Sequence, residues 1–150
     1  MDFIIEIIAV FSGIISVWLA KKENILLYPV GTLSVLLWIY LCWIGEIYGQ
    51  AVINLFFLVM NIYGWYNWSR KDNYDLNKVQ IKFSSVKENT LYIIVAALLT
   101  LLIYWGLSNI EILNFDWKFV LIESFITALN FIAMWLMAWK RIENWVLWII

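Results

Sequence analysis

The sequence has no histidine, one cysteine, one proline and few charges. Each scarcity excludes something. Without histidine the chain lacks the commonest general base and the commonest metal ligand. The single cysteine, Cys42, cannot close an intramolecular disulfide; in its apolar run it reads as a packing residue. A net charge of −1 offers nucleic acid no bulk attraction, so no nucleic-acid partner is expected. There is no phosphate-binding glycine–lysine loop. No nucleophile stands beside a base and no metal-ligand cluster is spaced for binding, so neither enzyme activity nor a cofactor is expected. The opening residues "MDFIIEII" lack the basic start of a cleavable signal, and the first helix is expected to remain in the membrane.

What the chain has in excess is apolar surface. Of its 150 residues, 65% are hydrophobic and only 14% charged, with a mean hydropathy of +0.84. A soluble domain is about half apolar and about a quarter charged. A soluble fold of this size has no interior large enough for such a load. Lipid is the matching solvent, and the expected class is an all-α, polytopic transmembrane helix bundle. The apolar residues come in long runs, not in the short alternating segments of a membrane β-barrel.

Runs of about 20 residues span a bilayer as helices. Five are expected, at about 3–20, 25–44, 47–68, 91–110 and 119–139, and a sixth opens at 144–150. A polar linker, 69–90, divides them; it reads as a solvated cytoplasmic loop, with Val79 to Val86 a candidate interfacial amphipathic piece. The ten basic residues set the orientation. All but Lys118 fall in alternate loops: Lys21 and Lys22; Arg70, Lys71, Lys78, Lys82 and Lys87; Lys140 and Arg141. That side is expected to be cytoplasmic, with the N-terminus outside the inner or plasma membrane.

A weak internal echo accompanies this pattern. "KKENILLYP" and "KRIENWVLW" each place an asparagine after a basic pair and an aromatic residue four positions on. Asn24 and Asn144 are good N-cap residues for the helices that follow, which alone could produce the match. A duplication of three helices with one between the copies also produces it, in the manner of parallel-repeat carriers. The expectation is a 3+1+3 scheme with an incomplete second repeat.

Polar side chains inside such helices cost free energy unless they find partners. On the third helix Gln50, Asn54, Asn61, Trp65 and Trp68 fall within an arc of about 60° at 100° per residue. On the fifth, Asp116, Glu123, Thr127, Asn130 and Met134 do the same, within about 60°. One reading is adhesion between helices, since amides and hydroxyls commonly bond across them, and tryptophans at helix ends often mark the interface. The other is the wall of a site for a flat, polar-edged solute, with rings to stack and amides to bond hydroxyls. Residue pattern alone leaves both open.

The residues also resemble a known family. "NIYGWYNW", preceded by "YGQAVINLFFLVM", is similar to the third-helix signature of the PnuC-type vitamin transporters. "WLMAWKRIENWVLWII" is similar to their second tryptophan signature, and "ENILLYPVG" to the start of their second helix. The resemblance implies a three-plus-one-plus-three bundle related in plan to the SWEET sugar transporters. It implies facilitated diffusion of a vitamin precursor, nicotinamide riboside foremost, trapped inside by phosphorylation. By position, Tyr63, Trp65 and Trp68 would line the aromatic site, with Gln50, Asn54 and Asn61 as polar wall. Asn144, Trp145 and Trp148 match the second signature, and Thr127 and Asn130 share a face by helical count. Asn54 and Met134 depart from the family pattern, where glutamine is common. Thiamine, riboflavin or a deoxynucleoside therefore remain alternatives. The family's chain continues through a seventh helix, so this one is expected to lack it. A homo-oligomer is compatible with that, and a non-transporting membrane scaffold or subunit is the rival reading.

Overall fold

A chain with so few turn formers and such long apolar runs has one way to satisfy its backbone in lipid, which is to bond it internally as helices. The structure, a computed structural model, describes residues 2–71, 79–108 and 116–147. Among the described residues six helices appear: α1 (Asp2–Lys21), α2 (Leu27–Ile44), α3 (Tyr48–Ser69), α4 (Val86–Ser108), α5 (Trp117–Ala138) and α6 (Asn144–Leu147). Residues 109–110 and 148–150, expected to end the fourth helix and to extend the sixth, lie outside the described residues.

Among the described residues, α1, α2, α4 and α5 are long and apolar enough to cross a membrane. α3 has the length, at 22 residues, but not the mean hydropathy. Five such helices were expected from the apolar runs. The difference lies in the amides at 50, 54, 61 and 67, which make α3 the least lipid-like of the long helices.

The chain divides into two compact units, Met1–Gln80 and Ile81–Ile150. In the first, α1 packs on α2 and α2 on α3. The α1–α2 seam is made of small residues. Ser34 Oγ donates to the Ala9 carbonyl at 2.7 Å and Ser16 Oγ to the Leu27 carbonyl at 2.8 Å. Small side chains let backbones approach, and hydroxyls bond across the gap, which is how helices adhere where lipid removes the hydrophobic drive. The opposite face of α1, with Phe3, Ile4, Phe11 and Ile14, is exposed, as a lipid-facing surface requires. Pro29 lies in the first turn of α2, where its missing N–H removes no helical bond.

In the second unit α5 packs on α4 and on α6. Ser124 and Ala128 are fully buried, and Ala96, Ile132 and Leu136 form a core with Tyr92, Leu129 and Leu147 around it.

Three helix ends share one device. Glu23, Glu46 and Lys140 adopt left-handed conformations, at φ 53°, 58° and 51°. Each follows the C-cap of α1, α2 or α5, and each helix closes with the paired bonds of a Schellman turn. For α5 these are Lys140 N to Met137 O at 3.0 Å and Arg141 N to Leu136 O at 2.8 Å. Gly45, the natural candidate for the α2 stop, has φ −76°; the strained position falls on Glu46.

Two local expectations are corrected. Asn24 does not cap α2. The cap residue is Leu26, and Asn24 Oδ1 instead accepts from Leu26 N at 3.0 Å in a local turn. The linker does not run to residue 90, because α4 opens at Val86, and residues 79–85 are not helical. Ser85 explains the earlier start. Its Oγ accepts from Glu88 N at 3.3 Å while Glu88 Oε2 accepts from Ser85 N at 2.7 Å, a capping box.

Candidate functional site

The polar stripe of α3 splits into a buried half and an accessible half. Asn54, Asn61, Asn67 and Trp68 are buried, at 8% exposure or less. Gln50 is exposed, Trp65 is 44% exposed, and Tyr63 is half-buried. The buried half faces α2. Gly31 leaves room for it: a Cβ there would stand 2.8 Å from Ser16 Oγ and 3.3 Å from Asn61 Oδ1. Asn54 Nδ2 donates to its own helix, to the Gln50 carbonyl at 2.9 Å. Asn67 Oδ1 accepts from the Arg70 guanidinium. Both bonds stay within α3 and its C-cap, while Asn61 stands against α2 at Gly31.

At one end of that unit the ring of Tyr28 lies across α3 where Gly64 has no side chain; a Cβ there would overlap the ring. Tyr28 meets Trp68 edge-on, with centroids 5.2 Å apart and planes at 90°. This is the favoured geometry for aromatic pairs. The Tyr28 hydroxyl and Thr32 Oγ1, one turn apart on α2, are buried with no hydrogen-bond partner among the described residues. A buried hydroxyl without a partner is uncommon and costly. Tyr28, Gly64 and Asn67 lie in stretches the sequence singles out but are not among the expected site residues. The only available signal was the mutual fit of a large ring and a bare glycine, which lie far apart in sequence.

The accessible half is different in kind. Trp65 and Tyr66 offer uncovered ring surface. Gln50 lies near the other end of the same helix, with Tyr63 and Phe57 half-buried between. Gln50 and Trp65 stand about 22 Å apart along the helix, so one small solute stacked on the indole does not reach the Gln50 amide.

In the second unit, Thr127 and Asn130 are half-buried on α5, while Met134 is buried beside them in sequence. Glu123 is exposed. Asp116 caps α5, accepting from Lys118 N at 3.3 Å. The fifth-helix stripe therefore does not share one environment. Asn144, the first residue of α6, is 4% exposed, and Trp145 beside it is 38% exposed. Asn24 is exposed where Asn144 is buried, so the two echo positions differ. Trp148 lies outside the described residues. A cavity of about 330 Å³ lies among α4, α5 and α6; Tyr92, Ile93, Ala96, Leu129, Ile132 and Leu136 are among its largely apolar lining.

Among the described residues, four helices long and apolar enough to cross a membrane define a multi-pass membrane protein. A family model described as nicotinamide mononucleotide transporter matches residues 3–150, and the chain belongs to that family. It is a family of membrane transporters, not of enzymes. The chain is similar to the nicotinamide riboside transporter PnuC of Escherichia coli (strain K12), 26% identical over 166 aligned positions covering 97% of this chain and 70% of that protein. It is similar to the riboflavin/roseoflavin transporter RibM of Streptomyces davaonensis, 26% identical over 140 positions covering 92% of this chain and 63% of that one. A solved crystal structure, that of the vitamin B3 transporter PnuC, shares the fold with a TM-score of 0.76 at 21% identity, over 97% of this chain and 62% of that one. The chain thus spans less than two thirds of the solved transporter's length.

Proposed function

We propose that this protein carries a vitamin precursor across the membrane by facilitated diffusion, and that nicotinamide riboside is the substrate. The observation that carries the reading is the 44%-exposed indole of Trp65, on the same face of α3 as the amides of Asn54 and Asn61. The pyridinium of a nicotinamide riboside is a flat cation. An indole face attracts such a group by about 0.5–2 kcal/mol, and amides suit the ribose hydroxyls. Trp65 supplies the stacking ring in this reading; Gln50, about 22 Å away along the helix, and Tyr63, about 160° round it, do not share that contact. Asn54 and Asn61 stand on the face of α3 that carries Trp65, and Thr127, Asn130, Asn144, Trp145 and Trp148 are counted as substrate contacts on the family resemblance alone. The 3+1+3 scheme is supported by the first three helices forming a unit of their own. Transport then follows from alternating access to a fixed site. The alternation of basic loops supports an N-terminus outside the cell.

Riboflavin is the second substrate to test, because a riboflavin/roseoflavin transporter is among the similar proteins. Uptake of labelled nicotinamide riboside into proteoliposomes, with thiamine and riboflavin as competitors, tests the reading. Saturable uptake blocked by excess unlabelled riboside is the expected result. Tight vesicles with no saturable component would favour a scaffold instead.

A further inference from the structure

The end of the linker is strapped to the turn that presents the second tryptophan signature. Residues 82–85 lie alongside the α5–α6 turn. Lys82 N donates to the Lys140 carbonyl at 3.2 Å, and Ile142 N to the Lys82 carbonyl at 3.3 Å, in a parallel bridge pairing Lys82 with Arg141. Side chains reinforce the pairing from both directions. Glu143 Oε1 accepts from Ser84 N at 2.7 Å and its Oε2 from Ser84 Oγ at 3.1 Å. Arg141 donates through Nη1 to the Phe83 carbonyl at 3.1 Å and through Nη2 to Glu88 Oε1 at 2.5 Å. Glu88 is the residue that closes the capping box of α4. One carboxylate therefore fixes both the start of α4 and the arginine of the turn.

This turn leads directly into Asn144 and Trp145. Asn144 N donates to the Arg141 carbonyl at 3.3 Å and Trp145 N to the Ile142 carbonyl at 3.1 Å. The orientation of this first turn of α6 is set by what holds the turn before it. On one side that is the Schellman end of α5. On the other it is the strap.

We propose that Glu143 is a positioning residue for the site: by clamping Ser84 it sets the orientation of Asn144 and Trp145 toward substrate, with Arg141 and Glu88 as the second fastening. The inference rests on the reading that these two residues face the substrate. It assigns to the linker end a part in recognition, where residue pattern suggested a solvated loop or an interfacial piece.

The test uses the full chain, with Glu143→Ala and Glu143→Gln beside wild type. Three quantities are read: hydrogen exchange of the amides at 142–147, nicotinamide riboside Kd by titration calorimetry, and the melting temperature. Glu143→Ala is expected to speed exchange across 142–147 and to raise Kd about tenfold, the worth of a hydrogen bond to a charged group, with little change in melting. Glu143→Gln keeps an oxygen for Ser84 N–H and is expected to recover most of both. Unchanged exchange in Glu143→Ala would overturn the proposal, as would faster exchange with unchanged Kd. A fall in melting temperature that tracks the loss of affinity, without recovery in Glu143→Gln, would show a purely structural role and also overturn it. If wild type itself gives no binding heat, the substrate reading falls, and the exchange measurement alone decides whether the clamp holds.

Discussion

Tyr28 and Gly64 are fitted to one another: the tyrosine ring occupies the space that any side chain at position 64 would need. The contact brings α2 against the backbone of α3 and sets Tyr28 edge-on to Trp68 at 5.2 Å. Adding bulk here forces the ring off its rotamer or the helices apart. Gly64→Val is expected to destabilise the chain by about 1–3 kcal/mol, the usual cost of overpacking. Tyr28→Phe removes only a buried hydroxyl that has no partner among the described residues, and should leave stability unchanged or raise it. Thermal unfolding in detergent separates the two.

The hydroxyl of Ser34 bridges α2 to α1 through the Ala9 carbonyl. Ser34→Ala should cost about 0.5–1 kcal/mol, since bonds between membrane helices are worth little more than those in water. A loss several times larger would mean that the seam depends on this one bond, and a stability scan of the variant decides it.

Trp65 and Trp68 belong to one signature but should fail differently. Trp68 is buried against Tyr28, so Trp68→Ala is expected to lower stability and binding together. Trp65 is 44% exposed, so Trp65→Ala should leave melting almost unchanged. It should weaken nicotinamide riboside binding by about 1–3 kcal/mol, the range for a ring stacked on a heterocycle. Paired melting and titration curves read both effects.

Glu46 carries a left-handed backbone at φ 58° in an exposed turn. Non-glycine residues resist that conformation by about 1 kcal/mol. Glu46→Gly is therefore expected to stabilise by a few tenths to about 1 kcal/mol, measurable as a rise in melting temperature.

These cases show what the sequence could carry. The long apolar runs of α1, α2, α4 and α5 declared their helices, because lipid imposes length and hydropathy directly. The peculiarity of α3 was legible too, since its amides repeat on one face. Helical count could not say which amides would be buried, because Asn61 meets Gly31 and Trp68 meets Tyr28 across a helix interface that no spacing rule encodes. The start of α4 was legible in the serine and glutamate of "SVKE", a capping box hidden within a stretch that read as linker. The strap on the α5–α6 turn was not. Its bonds join residues 82–88 to 140–143, and the backbone groups that form half of them leave no mark on residue type. Left-handed caps at Glu23, Glu46 and Lys140 were equally hidden, since glycine or asparagine is the residue type that signals them.

Titration of nicotinamide riboside into the purified full chain tests the central claim most directly. A saturable heat in wild type that is lost or much weakened in Trp65→Ala, at equal melting temperature, is the expected result. Absence of any heat in a folded wild-type protein, or equal affinity in the two chains, would contradict a substrate wall on α3.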